Sequence, residues 1–280
     1  MPAVLAEPVQ VARIPHLSWS KIQLYLTCPR QFAYSYLEQA PQERVSASLV
    51  FGGAIHRAVE TVHEARLAGL PLPTVEQLLA AYSAAWKLET RPDVGIEYAR
   101  GEDAATLRGL AGRALEAYLE WLKVEGLRGK VIAIEHEENF ELLPEAPPVK
   151  ARLDLLELVG DELHVIDLKT SRCSWSEQKI KDAAPQLVIY SYAVTRSGLV
   201  RDLGVRRVVP SFVVVTKGAR PKVQAIRPSL GQTDADRLKT QVAEVSQAIR
   251  TGVYVRREGW QCKGCPFRER CNREATCQQP

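Results

Sequence analysis

The chain has 280 residues, 46% of them hydrophobic and 25% charged, with a formal net charge of +4. These proportions exclude a disordered or fibrous protein and fit a packed core, while the length allows one large domain or two small ones. No apolar run approaches membrane-spanning length. The N-terminal MPAVLAEPVQVARIP lacks the charged start and apolar stretch of a signal peptide, so the expectation is a cytoplasmic protein with no membrane partner. The mild positive charge permits a nucleic-acid partner without demanding one.

In chain order, residues 1–16 read as a flexible arm. SWSKIQLYLTCPRQFAYSYLE has helical spacing, with Ser18 as N-cap and Pro29 as an interruption. Helices follow over Phe51–Leu67, Thr74–Leu88 and Asp103–Glu125, with a polar stretch from Glu89 to Glu102 between the last two. Strands are expected at Val131–Phe140, Val149–Val159 and Leu163–Thr170, then a helix over Ser176–Thr195 that Pro185 threatens to break. A strand at Val208–Thr216 pairs with Lys222–Arg227, and Thr233–Arg250 forms a long last helix before a cysteine-rich loop. The order describes a mixed α/β domain over 17–280, with extra helices inserted at about 70–129.

Charges inside the apolar strands are the first sign of a site. Asp167 and Lys169 in ELHVIDLKTS are two residues apart, so the pleat puts them on one face; in VKARLDLLELV, Asp154 shares its face with Arg152 and Lys150. Two acids and a lysine are costly to bury without a partner, and a divalent cation removes that cost. His56 follows the Gly52–Gly53 pair, which would let another backbone approach the helix start. Gln186 and Tyr190 share a helical face at i,i+4 spacing and could orient a phosphate or water, or simply support the sheet.

Six cysteines occur, at 28, 173, 262, 265, 271 and 277. Cys262, Cys265 and Cys271 form a C-x2-C-x5-C run that supplies three thiolates. Cys28, in a Cys-Pro pair within an aromatic helix, is the candidate fourth, with Cys173 and Cys277 as substitutes. Spacing alone leaves zinc and iron–sulfur level.

Taken together, CPRQFAYSYL, GGAIH, RLDLL, IDLKTS, QLVIYSYA and the terminal cysteine run, in that order, resemble the RecB-type branch of the PD-(D/E)XK nuclease superfamily. The closest subgroup is the iron–sulfur one of Cas-four-type and AddB-type nucleases, and the resemblance spans Leu17 to Cys271. It implies a restriction-endonuclease-like α/β core with a mixed sheet. It also implies Mg²⁺ or Mn²⁺ held by His56, Asp154, Asp167 and the Leu168 carbonyl. Lys169 would orient or deprotonate the attacking water, and Gln186 and Tyr190 would support the site. Cys28, Cys262, Cys265 and Cys271 would ligate a [4Fe–4S] cluster that ties the two ends of the domain together. The family often has glycine where Ala151 stands, a small departure that leaves every charged group in place.

The implied activity is DNA exonuclease action on single-stranded ends, in recombination, repair, phage replication or CRISPR adaptation. Its implied partners are a helicase, a recombinase or a CRISPR adaptation protein. Arg152, Arg172 and Lys179 are the candidate DNA contacts, with Lys181, Arg206, Arg207, Arg268, Arg270 and Arg273 as further basic residues. Trp19, Trp175 and Trp260 are candidates to stack on unpaired bases or to fill the core. The competing readings are a DNA-end-binding module without catalysis and a four-cysteine zinc protein with another metal hydrolase role.

Overall fold

The computed structural model describes residues 14–90, 92–126 and 128–276. The central element is a five-stranded mixed sheet in the order β3-β4-β5-β6-β7, formed by Lys130–Phe140, Val149–Val159, Glu162–Ser171, Arg207–Thr216 and Val223–Ile226. Its β3-β4, β4-β5 and β6-β7 pairs are antiparallel, and β5-β6 is parallel. A parallel neighbour needs a crossover, which α6 (Glu177–Arg196) supplies. Pro185 lies inside α6 without ending it. The expected break does not occur.

Strand alternation sends side chains to two cores. Leu163, Val165, Phe212 and Val214 pack toward α6, α1 (Trp19–Thr27) and α8 (Gln232–Arg250). Ile166, Leu168, Val213 and Val215 pack toward α3 (Ala47–Leu67), α4 (Val75–Glu89) and α5 (Ala104–Val124). On this face α3 lies against β3 and β5, α5 lies against β6 and β7, and α4 packs on both helices. Ser18, Thr74, Asp103 and Ser176 each cap a helix start by accepting a backbone N–H three residues on.

Several small elements carried no clear periodic signal. Arg44–Ser46 (β1) and Gly95–Glu97 (β2) form a parallel two-stranded sheet, and short helices occur at Leu199–Asp202 (α7) and Arg268–Thr276 (α9). Three- and four-residue elements are too short for periodicity to reveal, and α9, nine residues long, buries no residue and so shows no apolar stripe. Cys28 does not lie inside a helix. It is an extended residue between α1 and α2 (Pro29–Tyr36), and Pro29 occupies the first turn of α2, where its missing N–H costs nothing. Of the expected N-terminal arm, residues 1–13 lie outside the described residues. Ile14 is buried, and Leu17 bridges to Val149.

Candidate active site and cysteine cavity

The site forms where β4 and β5 part. Their ladder runs from Val159↔Glu162 to Leu155↔Ile166 and stops, while β5 continues to Ser171 on β6 alone. At the opening, Asp154 Oδ2 accepts the Leu168 backbone N–H at 2.7 Å, standing in for the lost strand carbonyl. Leu153 and Leu155 should share a face, yet they pack into opposite cores. The pleat therefore changes phase at Asp154. On β3, Glu135 faces this point with φ of +51°, a left-handed conformation that costs a non-glycine residue roughly 1–2 kcal/mol. Such strain is characteristic of functional sites.

Asp167 and Lys169 lie on the α6 face of β5, as their spacing predicts, with Lys169 Nζ 2.7 Å from Asp167 Oδ2. Gln186 Nε2 donates to Asp167 Oδ1 at 2.9 Å and to Tyr190 Oη at 2.7 Å, and the Tyr190 hydroxyl donates to the same Oδ1 at 3.1 Å. The Gln186–Tyr190 pair thus grips a carboxylate oxygen. Burial, and then the charge of Asp167, raises the Tyr190 phenol well above its usual range. Asp167 is 1% exposed, and its Oδ2 has no hydrogen bond despite the nearby ammonium.

His56 reaches the opening from α3, with Nδ1 3.6 Å from Asp154 Oδ2, and it also hydrogen-bonds the Leu168 backbone. Burial, then the neighbouring Lys169, lowers its pKa to about 4, so its imidazole is neutral and able to act as a ligand. Gly52 and Gly53 do not admit another backbone as expected. A side chain at Gly52 would instead meet the Thr170 hydroxyl, and one at Gly53 would meet Glu89. Burial, and then the charge of Asp167, pushes Asp154 well above the usual carboxylate range.

Two acids join this group that the sequence reading missed. Among the described residues, His56, Glu135 and Asp154 bring ligand atoms within 4.8 Å of one another. Glu60 stands beside Glu135 and pairs with Arg57. Glu60 follows His56 by four residues, a spacing that could have placed it. Glu135 left no such signal, because its position depends on a backbone conformation unusual for glutamate.

The basic residues separate into groups. Lys169, Arg152 and Lys179 line one open groove of about 940 Å³ beside the site. Arg152 also pairs with Glu135, and Lys179 lies over the Trp175 ring. Arg172 is exposed near Lys217, and Lys181 lines the groove's continuation. Arg206 and Arg207 pair with Asp161 and Glu162 at the far end of the β4–β5 hairpin, away from the opening. Arg270 and Arg273 pair with acids near the cysteines. Trp19 and Trp175 are core residues, only 7% and 8% exposed, whereas Trp260 is 81% exposed.

A second constellation lies where the ends of the domain meet. Cys28, Cys262, Cys265 and Cys271 line one cavity of about 340 Å³, and none forms a disulfide. Burial raises the Cys265 and Cys271 thiols, and the crowding of the other cysteines adds to it. Cys173 is exposed beyond β5, and Cys277 lies outside the described residues. Around the cavity, Glu274 accepts hydrogen bonds from Tyr34 at 2.6 Å, Arg30 at 2.8 Å and Arg270 at 3.0 Å. These partners hold its pKa down to about 2, the Tyr34 hydroxyl most of all. Arg268 lines the same cavity. Glu43 accepts the first N–H groups of α9 from Glu269 and Arg270.

A mixed sheet split at two adjacent strands, with acids and a lysine at the split, defines a restriction-endonuclease-like nuclease domain. The family model described as the PD-(D/E)XK nuclease superfamily matches residues 16–272, and the chain belongs to that superfamily. A crystal structure of a "Putative exonuclease" from Eubacterium rectale is similar over 90% of this chain and 87% of that one, at 11% identity and a TM-score of 0.52, a likeness of fold. The structure of SSO0001 aligns over 89% and 90% at 16% identity, but its TM-score of 0.34 carries no argument. No curated protein matches the chain. No helix among the described residues is long and apolar enough to cross a membrane.

Proposed function

We propose that the protein is a Mg²⁺- or Mn²⁺-dependent DNA exonuclease acting on single-stranded ends, with a [4Fe–4S] cluster held by Cys28, Cys262, Cys265 and Cys271. The observation that carries the metal reading is Asp167 Oδ2. It is a buried carboxylate oxygen that meets the Lys169 ammonium at 2.7 Å but makes no hydrogen bond, and burial, then the charge of Asp167, holds Asp154 well above its usual pKa. Two such acids beside a neutral imidazole are what a hard divalent cation stabilises.

His56, Asp154, Asp167 and the Leu168 carbonyl would hold that ion, with Glu135 as a further oxygen donor. When bound, the ion would polarise a phosphoryl oxygen and ease deprotonation of water. Gln186 and Tyr190 fix Oδ1 of Asp167, so that Oδ2, paired with Lys169, is the oxygen that would turn to the ion. Lys169, beside Oδ2 and lining the groove, is placed to offset charge developing on the phosphate or to take a proton from the attacking water. Arg152, Arg172 and Lys179 would contact the DNA backbone.

The cysteine cavity, of about 340 Å³, has room for a cluster. The four thiols line that one cavity from both ends of the domain, and the family resemblance of the cysteine run favours iron–sulfur over zinc there. The exonuclease reading has the support of a distant neighbour of the same fold described in those words. Recombination, repair, phage replication and CRISPR adaptation are the settings proposed, with a helicase, recombinase or adaptation protein as partner.

Digestion of linear, end-blocked and circular single- and double-stranded DNA, with Mg²⁺, Mn²⁺ or EDTA, tests the activity. Mononucleotides released from linear single strands, but not from circles, are expected. No cleavage with either metal would overturn the proposal. A brown, iron-containing anaerobic preparation tests the cluster, because Zn²⁺ is colourless.

A further inference from the structure

The groove beside the site does not end at Lys169. It continues between α1 and α6 into a second stretch of about 790 Å³, and the two share Trp19, Gln23, Thr27, Asp182 and Trp260. A single channel therefore runs from the proposed catalytic lysine to the cysteine-bearing segment. Trp260 lines both stretches and is 81% exposed. Trp19 and Trp175, its companions in the channel wall, are buried.

An exposed indole gives up the burial free energy that makes tryptophan a core residue, and here it leaves an aromatic face open to the channel. Its position is nevertheless fixed. Trp260 begins a short 3-10 turn ending at Cys262, Arg257 Nη1 donates to the Leu26 carbonyl of α1 at 2.8 Å, and Gln261 donates to the Arg257 carbonyl at 2.6 Å.

We propose that Trp260 stacks on an unpaired base of a single DNA strand. The strand's backbone would follow the channel from Lys169 past Lys179 and Lys181. This inference rests on the nuclease reading above and adds the path and form of the substrate. Seven lysines and arginines line the channel against four acids, Glu137, Glu177, Asp182 and Asp234, and the excess lies in the stretch beside Lys169. An aromatic platform beside a basic groove is the general solution for unpaired strands.

The test measures binding of labelled oligo-dT to the full chain in EDTA, where nothing is cut. Trp260→Ala should weaken binding by about tenfold, as loss of one stacked base does. Trp260→Phe should restore most of the affinity. Quenching of tryptophan emission by the oligonucleotide should shrink in Trp260→Ala, and circular dichroism checks its fold. With metal, KM for long single strands should rise while kcat holds. Affinity and quenching unchanged in Trp260→Ala would overturn the inference, even in a protein that cleaves DNA. So would Trp260-dependent binding confined to duplex. Strand binding that depends on Trp260 in a protein that cuts nothing with either metal would sustain the inference and sink the nuclease reading instead.

Discussion

The opening between β4 and β5 and the cavity around the cysteines are both built from charged groups, and they treat those groups in opposite ways. At the opening, Asp154 and Asp167 are crowded together, one oxygen lacks a hydrogen bond, and Glu135 sits at positive φ. Around the cavity, Glu274 is shared by Tyr34, Arg30, Arg256 and Arg270, and Glu43 caps α9. The first region stores unfavourable charge for a ligand to relieve. The second satisfies its charges internally and so fastens the C-terminal segment to α2 before any cluster is counted.

This contrast can be broken by substitution. The largest expected effect is on cleavage: Asp167→Ala or Lys169→Ala should lower the rate by about 10²–10⁴-fold or more with the fold intact by circular dichroism. Activity near wild type would remove these residues from the chemistry. Asp154→Asn should also stop cleavage while raising the melting temperature of metal-free protein, because it deletes a charge that burial and Asp167 oppose. A lower melting temperature there would mean that the opening stores no such charge.

Glu274→Ala should do the reverse. It should destabilise the C-terminal segment by about 1–3 kcal/mol, seen as faster hydrogen exchange in α9, since it strips a shared acceptor from arginines and a tyrosine. Unchanged exchange would show that the clasp depends on the thiols alone.

A pH effect should come from the inner wall of the first region, where His63 and Tyr118 line one small pocket with His56, Glu135 and Asp154. His63, hydrogen-bonded to Tyr118, has its pKa lowered to about 3 by burial and then by Arg66, against 6.5 unfolded. The unfolded chain takes this proton first. Stability is therefore complete above pH 6.5 and falls as the pH drops toward 3. His63→Gln should flatten that part of an acid-unfolding titration. Smallest of all, Glu135→Gly should relieve the left-handed backbone by up to about 1 kcal/mol and weaken divalent-cation affinity. Calorimetry with and without metal separates the two.

The long elements were legible because their residues carry their own periodicity: α3, α5, β4 and α8 all fall within a few residues of where apolar spacing puts them. Pro185 misled because α6 is held by packing along its length, which outweighs a local breaker. Trp19 and Trp175 could not be told from Trp260, since exposure depends on neighbours distant in sequence.

By itself, the sequence determined the order of the long elements, the charged face of Asp167 and Lys169, and the i,i+4 pairing of Gln186 with Tyr190, because these follow from backbone repeats of two and 3.6 residues. Tertiary structure decided the rest. The parting of β4 from β5, the phase change at Asp154, the entry of Glu135 and the meeting of Cys28 with residues 262–271 all depend on segments brought together across the fold. No local pattern records such meetings, because packing rather than chain repeat enforces them.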